Sequence, residues 1–115
     1  MVPLAIDAGL GELGRFGYLM ADKFGPRVRL FAVQTDMPLV PDKPIDMGAQ
    51  KFCEICVKCG ESCPSKSIPL ERNKKIDRGI ERWTLKAETC FEYWGKIGTD
   101  CCICMAICPF SRPNR

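Results

Sequence analysis

The N-terminal part of the chain alternates short apolar runs with glycine and proline. Residues 2–6 form an apolar run interrupted by Pro3, and glycines recur from residue 9 to residue 17. Residues 15–24 predict a short helix, because Gly25 and Pro26 would end it. Residues 27–35 are rich in Val, Leu and Phe, and they predict a strand that stops at a turn over residues 36–38.

The rest of the chain contains a stretch with three prolines, a charged stretch and all nine cysteines. Pro38, Pro41 and Pro44 predict an extended connector over residues 39–46. Residues 71–82 are charged and predict an exposed stretch, whereas residues 85–94 predict a helix that ends at Gly95. We therefore expect an α+β chain with one part at residues 1–50, a cysteine-rich module at 51–110 and an unordered tail at 111–115.

Composition narrows the function classes. A chain of 115 residues fits one domain at most. Its formal charge of +3, with basic and acidic side chains interleaved, argues against a nucleic-acid partner. No stretch approaches the roughly 18 consecutive apolar residues of a membrane-spanning helix, and no signal peptide is visible. Nine cysteines without a single histidine leave all-thiolate metal sites, because every mixed Cys/His zinc site is excluded.

The most specific motif is a run of four cysteines before a proline. Cys53, Cys56, Cys59 and Cys63 precede Pro64 with the C-x2-C-x2-C-x3-C-P spacing of bacterial-type ferredoxins, which hold 4Fe-4S cubanes. Three thiolates on one tight loop reach three corners of a cube. In two-cluster ferredoxins the fourth cysteine ligates the other cluster.

A second cysteine set repeats the end of this motif. Cys90, Cys101, Cys104 and Cys108 precede Pro109, with one ligand displaced upstream. Crossing the two motifs predicts two 4Fe-4S clusters. The first takes Cys53, Cys56, Cys59 and Cys108, and the second takes Cys63, Cys90, Cys101 and Cys104.

Two alternatives accompany this assignment. Cys102 is the expected spare thiol, because one residue between it and Cys104 is too tight for the usual loop, although the choice between Cys101 and Cys102 stays open. A pair of four-thiolate zinc sites, or a set of disulfides, is the other interpretation. Zinc loops pair C-x2-C with C-x2-C and do not need a run of three, and nine is an odd number for closed disulfides.

A glycine motif lies near the N-terminus. Gly9, Gly11 and Gly14 match G-x-G-x-x-G, and Asp36 follows at the distance of a dinucleotide-binding acidic residue. The strand ahead is short and the intervening helix is cut at Gly25, so the crossover length that such a site requires is missing. We expect glycines that allow close backbone packing, or a backbone that lies against another large cofactor.

Several blocks of sequence together resemble the corrinoid-dependent reductive dehalogenases. They cover nearly the whole chain and keep the family's order and spacing: residues 8–15, 25–29, 35–39, 42–45 and 58–65, with Trp83, Cys90, residues 93–94 and Cys104 to Phe110. Epoxyqueuosine reductases are relatives that share a corrinoid and two cubanes, but they typically carry Trp where Glu12 stands here.

The resemblance implies an enzyme that reductively removes halide from an organohalide at a corrinoid, with electrons delivered by two 4Fe-4S clusters. It implies the end of a nitroreductase-like corrinoid-binding core followed by a ferredoxin-like two-cluster module. Gly9, Gly11, Gly14 and Val33 are then expected at the corrinoid. Arg27 or Arg29 is expected to stabilise leaving halide or to orient a proton donor.

The family is much longer than this chain, and its proton-donating Tyr lies upstream of the segment seen here. We therefore expect the C-terminal part of a dehalogenase that is inactive alone. By resemblance, its partners are a small membrane-anchor protein and a low-potential electron donor, on the outer (periplasmic) face of the cell membrane. The alternatives are a stand-alone ferredoxin-like electron carrier and part of an epoxyqueuosine reductase.

Overall fold

The computed structural model describes residues 1–111 and begins with a short helix and a hairpin. Helix α1 spans Val2–Asp7 and carries Pro3 in its first turn, where a missing backbone N–H leaves no hydrogen bond unmade. Strands β1 (Gly11–Leu13) and β2 (Leu19–Ala21) pair antiparallel, with Glu12 opposite Met20. Helix and hairpin pack around a small apolar cluster that includes Ala5, Leu19 and Ala21.

The helix predicted over residues 15–24 is wrong, because those residues turn and return as β2. Gly17 lies in the left-handed region at φ 76°, and the Gly14 N–H donates to the Tyr18 carbonyl oxygen at 2.9 Å. This turn lets residues 19–21 run back along β1, and all three are buried. Four glycines between residues 9 and 17 therefore favour a hairpin over a helix.

The strand predicted over residues 27–35 is also wrong, since the segment has no regular structure. Phe31 and Val33 are 85% and 78% exposed. Strand-forming side chains need a neighbouring strand to supply backbone hydrogen bonds, and none lies beside this segment within the described residues. The irregular connector expected over residues 39–46 is confirmed.

The cysteine-rich half is built from short elements. Helices α2 (Ala49–Ile55) and α3 (Lys58–Glu61) are followed by the antiparallel hairpin of β3 (Lys75–Asp77) and β4 (Ile80–Arg82). Then come α4 (Ala87–Ile97), α5 (Ile103–Ala106) and a 3-10 turn over Pro109–Ser111. The predicted helix at residues 85–94 is confirmed as α4, but it continues through Gly95 and ends at Gly98, which is left-handed at φ 73°.

One core joins the two halves of the chain. Phe16, Met20 and Ala49 pack with Trp83 and with the buried cysteines. The expected boundary between residues 50 and 51 falls inside α2. Ser111, expected to begin the tail, is buried in the 3-10 turn, whereas residues 112–115 lie outside the described part.

The expected α+β class is confirmed by this mixture of helices and hairpins. Over residues 1–111, the longest helix is α4 with 11 residues, and no helix has both the length and the apolarity to cross a membrane.

Candidate metal centre

The first cysteine group lies at the centre of the shared core. Cys53 is on α2, Cys56 caps the end of that helix, and Cys59 is on α3. Cys108 arrives from the far end of the chain, directly before the 3-10 turn. Cys53, Cys59 and Cys108 are all buried.

Electrostatic interactions tie these thiols together. Burial raises the pKa of Cys53, and the neighbouring thiols of Cys108 and Cys56 raise it further. Burial, with the nearby Cys53 thiol, raises the pKa of Cys59 to about 12. The raised pKa values of Cys53 and Cys59 favour protonated thiols near neutral pH, so metal binding at these two residues must release protons.

The second cysteine group gathers on the other side of α3. Cys63 follows α3, Cys90 is on α4, Cys101 precedes α5 and Cys104 is on α5. Burial raises the pKa of Cys90, and Cys63 and Cys101 raise it further. Burial also raises the pKa of Cys104 to about 11, with contributions from Cys63, Cys101 and Cys90.

A cavity of about 260 Å³ separates the sulfurs of the second group, and all four of its cysteines line it. One water needs only roughly 10–15 Å³ of such volume. The remaining wall is apolar and includes Phe16, Ile68 and Leu85. The space is therefore large enough for a group of several atoms, bounded by four thiols and by side chains that exclude water.

Hydroxyl groups surround the sulfur of Cys63. Ser65 Oγ lies 3.4 Å from Cys63 Sγ, and the Ser67 backbone N–H donates to the same sulfur at 3.4 Å. Ser65 Oγ contacts Ser67 Oγ at 2.6 Å, and Ser67 Oγ contacts Thr89 Oγ1 at 2.7 Å. Burial alone would raise the pKa of Cys63, but these hydrogen bonds outweigh it and lower the pKa.

Cys102 lines the same cavity as the second group but is more exposed than the four cysteines assigned to it. It is exposed, lies in the left-handed region at φ 49°, and its sulfur contacts Asp100 Oδ2 at 3.5 Å. Burial and this contact raise its pKa, and Cys101 is the only other thiol that contributes to the shift. That Cys102 is the spare thiol stays a prediction, because this residue also lines the second-group cavity.

Within residues 1–111, no three His, Cys, Asp or Glu side chains surround a position for a single metal ion. A four-thiolate zinc site needs four sulfurs at about 2.3 Å from one ion. In a cubane each iron takes one cysteine, so the four sulfurs surround a larger body. The cavity that the second-group cysteines line has room for such a body.

Arg15 is a site residue that sequence reasoning missed. It is fully buried, and its Nε and Nη2 donate to the Cys53 carbonyl oxygen at 3.1 and 2.6 Å. Nη1 donates to the carbonyl oxygens of Pro69 and Glu71 at 3.1 and 2.6 Å. The guanidinium carbon lies 4.5 Å from the centre of the Trp83 ring. Nothing in the sequence distinguishes Arg15 from an exposed arginine.

The glycine motif occupies the β1–β2 hairpin, so the strand–turn–helix context of a dinucleotide site is absent. A Cβ on Gly9 would lie 2.4 Å from the Lys43 carbonyl oxygen, and one on Gly11 would lie 2.0 Å from that of Met20. A Cβ on Gly14 would meet the Phe16 ring at 2.9 Å. Close packing inside the chain therefore accounts for these three glycines.

Arg27 and Arg29 lie on a cavity of about 480 Å³ beside the second cysteine group. This cavity shares Tyr18, Trp94 and Met105 with the space between the second-group sulfurs. One guanidinium nitrogen of Arg27 donates to the Ser111 carbonyl oxygen. The glycine motif and Val33 are not among the residues that line it.

Comparison with known proteins identifies the architecture. No family model matches the chain. The chain is 44% identical over 98% of its length to a tetrachloroethene reductive dehalogenase of Sulfurospirillum multivorans, of which it covers 24%. The structure of a catabolic reductive dehalogenase in complex with 3-bromo-4-hydroxybenzoic acid matches 96% of the chain with a TM-score of 0.92 and 37% identity, and 16% of that protein is covered. The chain is homologous to one segment of the reductive dehalogenases.

The resemblance to reductive dehalogenases is thus confirmed, and it is closer than the likeness to the alternative family. An epoxyqueuosine reductase of Lactococcus garvieae is 30% identical over 96% of the chain, and 32% of that relative is covered. The chain spans about a quarter of the length of the dehalogenase relatives. The dehalogenase family implies corrinoid and iron–sulfur cofactors for the whole protein.

Proposed function

We propose that this chain is the electron-delivery part of a reductive dehalogenase, with two 4Fe-4S clusters that serve the removal of halide from an organohalide at a corrinoid. The observation that carries the proposal is the set of electrostatic interactions among the thiols. They join Cys53 to Cys56, Cys59 and Cys108, and they join Cys90 and Cys104 to Cys63 and Cys101, with one further interaction between Cys59 and Cys104. Each group takes three cysteines from one part of the sequence and one from another, as crossed ferredoxin motifs require.

The chemistry of the donors supports clusters over zinc. Thiolates are soft ligands that bind both zinc ions and iron–sulfur clusters, so ligand type alone does not distinguish the two. The four second-group cysteines line a cavity of about 260 Å³, which has room for a body of several atoms and supports a cluster there over a single ion. When bound, the clusters supply one-electron transfer, which the side chains themselves cannot perform.

The position of Arg27 and Arg29 suggests which cluster lies nearer the reaction. Both arginines line the cavity that adjoins the second cysteine group, so in this proposal the second cluster faces the corrinoid and the first cluster faces the electron donor. Two cations at this cavity suit a leaving halide. Val33 projects from the same exposed segment, and its contact with the corrinoid, like that of Gly9, Gly11 and Gly14, stays a prediction.

The substrate class is supported by the names of the relatives. One relative is named for tetrachloroethene and one solved structure holds a brominated hydroxybenzoate, so we propose an organohalide without choosing between them. A low-potential electron donor and a small membrane-anchor protein, at the outer face of the membrane, belong to the same proposal.

Metal analysis tests the cluster assignment. After anaerobic reconstitution, we expect about eight iron and eight sulfide per chain, with broad visible absorption that bleaches on reduction. Stoichiometric zinc without that absorption would contradict the proposal.

Chloride release tests how the chain takes part in the reaction. We expect reconstituted chain, given a corrinoid and reduced viologen, to release no more chloride from chlorinated ethenes or phenols than the corrinoid alone. Arg27 and Arg29 lie on an open surface, and a few contacts there do not offset the cost of fixing so large a ligand. Turnover clearly above the corrinoid control would show a complete active site within these residues.

A further inference from the structure

Arg15 contacts the first cysteine group through both its backbone and its side chain. Its backbone N–H hydrogen-bonds the thiol of Cys53, and its guanidinium donates twice to the Cys53 carbonyl oxygen. Its guanidinium carbon also lies 4.5 Å from the centre of the Trp83 ring, and Trp83 packs in the same core as Cys53, Cys59 and Cys108. The cation is therefore fixed beside the core that holds three of the four cysteines of this group.

No carboxylate neutralises this buried charge within the described residues. The ion pairs found there join Lys74 to Glu54 and Arg82 to Asp77. Arg15 has only carbonyl oxygens and the face of Trp83 as partners. A fully buried ion without a counter-ion is costly, and carbonyl dipoles and a ring face offset only part of that cost.

We propose that Arg15 is the buried counter-cation of the first cysteine group and raises the reduction potential of the cluster held there. The inference rests on the proposed function, since it requires a cluster at Cys53, Cys56, Cys59 and Cys108. Four thiolates make such a cluster anionic, and each electron added makes it more so. A cation fixed in a low-dielectric core stabilises the reduced state more than the oxidised state.

The test is a potentiometric titration of both clusters, followed by EPR, in the reconstituted full chain. Arg15→Gln removes the charge and keeps the backbone N–H, whereas Arg15→Lys keeps the charge. Lys74→Gln is the matched control, because Lys74 is a second cation over Trp83, at 5.1 Å, but it is paired with Glu54 at 3.3 Å.

We expect Arg15→Gln to move the midpoint potential of one cluster to a more negative value and to leave the other unchanged. Arg15→Lys should retain most of the wild-type potential, and Lys74→Gln should shift neither cluster. An unshifted Arg15→Gln, or equal shifts in Arg15→Gln and Arg15→Lys, would overturn the proposal. Failure of both Arg15 variants to bind iron would also overturn it, by showing that Arg15 only holds the fold. Wild-type chain without clusters would instead contradict the proposed function.

Discussion

The two cysteine groups have the same ligands but different surroundings. The first is buried in the shared core, and the fully buried cation Arg15 lies beside it. In the second, Cys63 is buried but Cys90, Cys101 and Cys104 are only partly so, and hydroxyl groups replace the cation. If both groups hold clusters, we expect the first to be tuned by the charge of Arg15 and the second by hydrogen bonds to a ligand sulfur.

The contrast also concerns access. The cavity of the second group adjoins the larger cavity that contains Arg27 and Arg29. The first group is instead enclosed by α2, α3 and the β1–β2 hairpin. A cluster in the second group is therefore the one that solvent reaches more easily.

Removal of metal should separate the two groups most strongly. Under anaerobic chelation we expect iron to leave in two phases, with the second-group cluster lost first, because three of its ligands are partly exposed. Loss of the remaining iron should then unfold much of the chain, since so small a core depends on its metal. Iron release followed by EPR and far-UV circular dichroism measures both steps. If the first-group cluster were lost first, the first group would be the more accessible of the two, contrary to this expectation.

Removal of one hydroxyl group tests whether a hydrogen bond to sulfur raises the reduction potential of the second-group cluster. Ser65→Ala removes the hydroxyl 3.4 Å from Cys63 Sγ, and hydrogen bonds to ligand sulfur favour the reduced cluster. One hydrogen bond contributes about 1 kcal/mol, so the second-group potential should fall by tens of millivolts, on the order expected for a one-electron couple. Ser62→Ala is the matched control, because Ser62 is exposed and is the chain neighbour of Cys63. Equal potential shifts in Ser65→Ala and Ser62→Ala would show that the Ser65 hydroxyl does not tune the second-group cluster.

The smallest effect is expected at Cys102. Its thiol is exposed and contacts Asp100, and we assign it to neither group although the residue lines the second-group cavity. Cys102→Ser should keep the iron content and both EPR signals of the wild type. Loss of one cluster in this variant would show that Cys102, and not Cys101, is a ligand.

The spacing of the cysteines predicts two ligand groups, because this chemistry is encoded in local sequence. The crossing of Cys63 and Cys108 between the two motifs stays a prediction. The displaced Cys90 could also be placed, because α4 was predicted close to its observed position. Arg15 could not be found this way, since its burial depends on carbonyl groups of Cys53, Pro69 and Glu71, which are distant in sequence.

The N-terminal predictions failed for a different physical reason. Residues 27–35 have the composition of a strand, but a strand requires a partner, and Phe31 and Val33 are exposed. Residues 15–24 have helix-like apolar spacing, but the turn at Gly17 and the pairing of β1 with β2 override it. The structure of both segments depends on whether a strand partner lies beside them in the fold. The local sequence pattern does not show this.

In the proposed clusters, each cysteine motif supplies one ligand to the cluster of the other motif. Reduced-state EPR of three variants tests this crossing of ligands. Cys56→Ala, Cys108→Ala and Cys63→Ala each remove one thiol from the assigned groups. We expect Cys56→Ala and Cys108→Ala to abolish or alter the same EPR signal. Cys63→Ala should affect the other EPR signal. If Cys108→Ala instead affects the signal that Cys63→Ala affects, Cys108 belongs to the second group, and the crossed assignment is contradicted.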